Sequence, residues 1–205
     1  VLAANGDNWE VSDGGTKVWR PIGRFAVPMS QIVLGRFGPQ PAGLGATSYA
    51  FRRAPDGQWY VTSLAAPNWQ PAQSSSTPYA KLRFADFTGD GVTDVLAVQG
   101  GHWSISESAT GSWQTLNSKL SNDLDSVTLA DLDNDRREDL VRFEKSGTSS
   151  LKVSVSWGGR SSWTPLKTMT GIAFAAPVFQ GPPALPLYSF AGRFDATGGD
   201  DLLIV

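Results

Sequence analysis

Apolar and polar residues alternate with a period of two over many short stretches of this chain, and no long stretch places apolar residues at helical spacing. The alternation is regular enough to count. Trp9-Glu10-Val11-Ser12, Trp59-Tyr60-Val61-Thr62, Trp103-Ser104-Ile105-Ser106 and Val153-Ser154-Val155-Ser156 repeat one pattern, with intervals of 50, 44 and 50 residues. In an extended strand residues i and i+2 share a face, so each copy predicts a strand with one apolar and one polar face. A second tryptophan follows ten residues on, at Trp19, Trp69, Trp113 and Trp163. Between the pairs lie Leu34-Gly35-Arg36-Phe37, Phe84-Ala85-Asp86-Phe87, Leu129-Ala130-Asp131-Leu132 and Ala191-Gly192-Arg193-Phe194, each a strand end entering a turn. Further apolar strands follow, as in Val95-Leu96-Ala97-Val98, Leu140-Val141-Arg142-Phe143 and Leu202-Leu203-Ile204-Val205.

Four strands per unit follow from this, with the acidic turn between the first and second strands and the tryptophan pair in the third and fourth. A repeat of this length and strand content is that of a β-propeller blade. The predicted fold is all-β, a propeller of four-stranded antiparallel blades with about four blades present. Residues 1–205 form one repetitive domain with approximate units 1–30, 31–79, 80–125, 126–186 and 187–205. Val1-Leu2-Ala3 and Leu202-Leu203-Ile204 match the same strand of the repeat, which reads as part of a larger, seven-bladed ring completed by further blades or by another chain. The stretch from Thr168 to Pro186, with Pro177, Pro182, Pro183 and Pro186, reads as a loop insertion.

Composition narrows the chemistry. The 205 residues carry 17 basic and 19 acidic side chains, a net charge of −2, which leaves no electrostatic footprint for nucleic acid. No apolar run reaches the roughly 20 residues of a membrane span. There is no cysteine and one histidine, His102, so neither thiolate nor histidine-cluster zinc sites are available. His102 precedes Trp103 in a turn and reads as an exposed structural residue. No serine-nucleophile motif, phosphate-cradling loop or isolated acid pair occurs, so the chain is expected not to be an enzyme.

The acidic turns hold the candidate chemistry. Asp131-Leu132-Asp133-Asn134-Asp135-Arg136-Arg137-Glu138-Asp139 has aspartates at positions 1, 3, 5 and 9, and Asp86-Phe87-Thr88-Gly89-Asp90-Gly91-Val92-Thr93-Asp94 has threonine at position 3. Calcium takes six to eight oxygen ligands, and alternate residues of a tight loop can aim theirs at one centre. The structural alternative is that these residues only cap strands, as Asp, Gly and Thr do in many turns. An EF-hand is excluded by Ala97 and Arg142 at its twelfth position and by the flanking strands.

The pattern resembles FG-GAP/VCBS repeats of integrin-like propellers, strongly in the second and third units and weakly in the first and fourth. The resemblance implies calcium between the first two strands of a blade. Its ligands would fall on Asp86, Thr88, Asp90 and Asp94 with a backbone oxygen near Val92, and on Asp131, Asp133, Asp135 and Asp139 with one near Arg137. Arg36 and Arg193 stand at the first position of the other two units. Arg193 is expected to neutralise Asp195 and Asp201 in place of a metal, and the first unit to hold no ion.

The resemblance further implies a secreted or cell-surface module for adhesion or recognition of a glycan or protein. The alternative is a non-catalytic scaffold domain of a larger secreted enzyme or toxin. Sugar-stacking candidates are Trp157, which falls outside the tryptophan scheme, and Trp19, Trp69, Trp113 and Trp163 on outer strands. Trp9, Trp59 and Trp103 are expected to pack between neighbouring sheets.

Overall fold

Every described strand pairs antiparallel with a neighbour in sequence, as short connections rich in Gly, Asp and Ser require. The computed structural model describes residues 2–5, 7–12, 15–24, 27–28, 31–37, 49–63, 68–118, 124, 127–171, 189–192 and 201–204. One three-stranded sheet comprises β1 (Leu2–Asn5), β2 (Asn8–Val11) and β3 (Arg20–Arg24). Three sheets have four strands each: β4 (Ile32–Gly35) to β7 (Gln70–Ser74) through β5 (Tyr49–Arg53) and β6 (Gln58–Ser63); β8 (Arg83–Ala85), β9 (Asp94–Gln99), β10 (His102–Ser106) and β11 (Gln114–Asn117); and β12 (Val127–Ala130), β13 (Asp139–Lys145), β14 (Ser150–Ser156) and β15 (Thr164–Thr170). β16 (Ser189–Gly192) and β17 (Asp201–Ile204) form a two-stranded sheet. The chain is therefore all-β, built of four-stranded antiparallel sheets like propeller blades, with no α-helix among the described residues.

Position within the sheet decides burial. β9 and β14 occupy inner places and are buried along most of their length, because both faces meet other chain, whereas the outer strand β15 is exposed at nearly every residue. Thr168 to Thr170 belong to β15 and not to an insertion, Gly171 follows as an exposed bend, and residues 172–186 lie outside the described residues. The second tryptophan of each pair stands immediately before the fourth strand, not inside it.

The chain divides into two compact units: Val1–Ala85 with Gly91–Gln99 and Ser104–Gln114, and Asp86–Asp90 with Gly100–Trp103 and Thr115–Val205. The first has a core of Phe37, Phe51, Trp59, Val61, Leu82, Val95, Ala97 and Ala109. Its aromatic rings meet at centroid distances of 4.9 Å (Phe51 and Phe84) and 5.4 Å (Phe37 and Phe51). The second has a core of Ala130, Val141, Phe143, Leu151, Val153 and Val155, with Leu132, Trp157 and Met169 packed on it.

The hydroxyl at or next to the end of β2, β6, β10 and β14 has a defined task. Ser12, Ser106 and Ser156 Oγ donate to the carbonyls of Lys17, Gly111 and Ser161 at 2.6, 2.7 and 2.7 Å, five residues on in each case. Thr62 Oγ1 instead accepts from Asn68 N at 2.8 Å. These bonds close the connection that delivers the second tryptophan to the sheet edge.

Candidate metal centre

Among the described residues, two connections between first and second strands carry the clustered aspartates, joining β8 to β9 and β12 to β13. Ala130 pairs with Asp139 across the second of them, so Asp131 to Glu138 form the loop and Asp139 opens β13. Ala85 pairs with Asp94 in the same register across the first. Backbone shape is shared. Gly89 and Gly91 have φ of 82° and 77°, and Asn134 and Arg136, at the same two loop positions, have φ of 60° and 71°. Left-handed residues at positions 4 and 6 turn the chain back on itself twice.

In the β12–β13 loop the carboxylates organise the backbone. Asp131 Oδ2 accepts from Arg136 N at 3.2 Å, Asp133 Oδ1 from Asp135 N at 3.1 Å and Asp135 Oδ1 from Arg137 N at 2.8 Å. Asp139 is only 1% exposed. Its Oδ1 accepts from Gly158 N at 2.7 Å and its Oδ2 from Leu132 N at 3.0 Å. Its pKa is raised to about 6, chiefly by burial and further by the charges of Asp133 and Asp135, against the downward pull of those two backbone donors.

Asp131, Asp133 and Asp139 each offer an oxygen, and the three lie within 4.8 Å of one another. Two ligands on one calcium ion stand at most about 5.2 Å apart, twice the longest usual Ca–O distance, so the spacing fits a shared cation. Without one, each pair at that separation repels by roughly 3 kcal/mol at an effective dielectric near 20. Asp135 is outside this group, and the side chain of Arg137 is exposed.

The other loop is divided between the two compact units. In its Asp86–Asp90 arm, Asp86 Oδ1 accepts from Gly89 N at 2.6 Å, Asp90 N at 3.2 Å and Thr88 Oγ1 at 3.4 Å. Val92 is half-buried, and Asp94 is fully buried with Oδ1 accepting from Ser108 N at 2.9 Å. Ser108 and Gly158 hold corresponding places in the turns after β10 and β14, with φ of 55° and 54°. The ninth-position aspartate thus ties its loop's end to the turn that precedes the second tryptophan. The sequence held a signal for this in Ser106-Glu107-Ser108-Ala109 and Ser156-Trp157-Gly158-Gly159, which align residue for residue.

Residues 86–142 match a family model described as the FG-GAP-like repeat. Over that span the chain is similar to an FG-GAP-like repeat. The match runs from the first aspartate of one loop through all of the other and into β13. Comparison with curated proteins gives no match. Of the weaker copies, Arg36 is exposed, while residues 38–48, Arg193, Asp195 and the side chain of Asp201 lie outside the described residues.

The tryptophans in and around the matched span are largely committed to packing. Trp9, Trp59 and Trp103 are fully buried. Trp113 meets Trp59 edge to face at 5.4 Å, and Trp163 meets Trp103 likewise at 5.7 Å. The Arg142 guanidinium lies 4.3 Å above Trp163, and that of Arg52 lies 5.0 Å from Trp69. Trp157 is half-buried in a single 3-10 turn, Trp157–Gly159, against the second core. Trp19, at 45%, is the most exposed of the five sugar-stacking candidates.

Proposed function

We propose that the chain is a calcium-stabilised segment of a β-propeller that acts outside the cell as a recognition or adhesion module, with no catalytic role. The observation that carries the calcium reading is the group of Asp131, Asp133 and Asp139 within the FG-GAP-like repeat. Calcium would be held by these three with Asp135 and the Arg137 carbonyl, and in the other loop by Asp86, Thr88, Asp90, Asp94 and the Val92 carbonyl. A bound ion neutralises the gathered carboxylates and stiffens the loop; the chain supplies the oxygens and fixes them through its backbone donors.

Calorimetric titration with calcium tests this directly. Uptake of one or two ions is expected. At about 100 times the dissociation constant, binding to the folded form alone adds about 2.7 kcal/mol, so chelation lowers the melting temperature and Asp131→Ala reproduces the loss. Melting that ignores both chelator and calcium would refute the reading.

Packing of a further sheet beside β3, as a larger ring requires, is supported by Trp19. It stands in the register at which Trp113 and Trp163 pack on the tryptophan of the sheet before, yet Trp19 and Val18 are 45% and 90% exposed. A scaffold or docking role in a larger secreted protein is the second reading. It is favoured by the commitment of Trp113 and Trp163 to ring contacts, which leaves them less free to stack on sugars. A glycan array on the full chain separates the two, since saturable binding competed by free sugar supports recognition.

A further inference from the structure

The end of the β12–β13 loop is held by the arm of the loop before it. Glu138 N donates to the carbonyl of Asp86 at 2.9 Å, Arg137 Nε to the carbonyl of Thr88 at 3.2 Å, and Arg160 Nη1 to the carbonyl of Phe87 at 2.8 Å. Gly89 makes room for this grip: a Cβ there would lie 3.1 Å from Arg137 Cγ. In a planar trans peptide the C=O and N–H point in opposite directions. Because Glu138 N–H is aimed at Asp86, the carbonyl of Arg137 is turned away from the preceding arm. The same bond recurs one repeat earlier, where Thr93 N donates to the Arg36 carbonyl at 2.8 Å and so turns the Val92 carbonyl. Val92 and Arg137 are the two positions at which a backbone ligand is expected.

We propose that Arg137 is a positioning residue for calcium in its own loop: by gripping the Thr88 carbonyl it keeps the 137–138 peptide bonded to Asp86 and its carbonyl oriented for the ion. This rests on the calcium reading above. Affinity at the loop is then set partly by the repeat that precedes it.

Calcium titration of the full chain carrying Asp90→Asn, which weakens the other loop while leaving its backbone in place, isolates the effect. Loss of one hydrogen bond corresponds to about fivefold, so Arg137→Met should bind calcium about fivefold more weakly. Arg137→Lys, which keeps a donor, should stay within about twofold of the arginine form. Melting of the metal-free protein should fall only by the worth of that one bond, since Arg137 is otherwise exposed. Unchanged affinity in Arg137→Met, or a lysine form as weak as the methionine form, overturns this inference alone. A chain that takes up no calcium before substitution at Arg137 overturns the calcium reading and this inference together.

Discussion

Asp139 should make the metal-free protein less stable as pH rises from 5 to 7.5, and Asp139→Asn should remove that dependence. The carboxyl has its pKa raised from 3.8 to about 6 by burial, so between these values the folded state binds more protons than the unfolded state. Stability from this group is fully present below about pH 4 and is lost as pH rises through 6. Integrating the proton difference with pKa values of 3.8 and about 6 gives a loss of about 1.4 kcal/mol between pH 5 and 7.5. The asparagine keeps one acceptor for Gly158 N but cannot accept from Leu132 N through its amide nitrogen, a pH-independent cost of about 1–3 kcal/mol. Urea denaturation of both proteins after calcium removal, at the two pH values, isolates the effect as a difference of differences. A gap between them that stays constant with pH would refute the reasoning. With calcium present the sign reverses, because the ion selects the ionised form: affinity should fall about tenfold from pH 7 to pH 5.

Three further outcomes follow from packing and backbone geometry. Arg136→Gly relieves a left-handed non-glycine residue at φ 71°, and after the entropy cost of glycine should stabilise the chain by about 0.5–1 kcal/mol in urea melts. Trp163→Ala removes the contacts with Trp103 and Arg142 and should cost about 2–3 kcal/mol, whereas Trp19→Ala, 45% exposed, should cost less than about 1 kcal/mol. Ser156→Ala and Ser106→Ala each delete a 2.7 Å bond to a carbonyl and should cost about 1 kcal/mol by thermal melting, with larger losses only if the turn itself opens.

Much of this protein is legible in one dimension because its periods are local. Trp103-Ser104-Ile105-Ser106 declares a strand and its faces from side-chain type alone, and the spacing of Asp131, Asp133 and Asp139 is set within nine consecutive residues. Even Gly89 and Gly91 announce the left-handed positions that Asn134 and Arg136 must also adopt. Long-range contacts are different. That Asp139 holds the Gly158 amide, that Trp163 lies against Trp103 and beneath Arg142, and that the Asp86 carbonyl fixes the Glu138 peptide depend on which strands lie side by side. Sequence alternation fixes what a side chain can offer and which face it is on. Only the packed sheets decide whether a tryptophan is left for a ligand or spent on a neighbour, because burial belongs to the partner as much as to the residue.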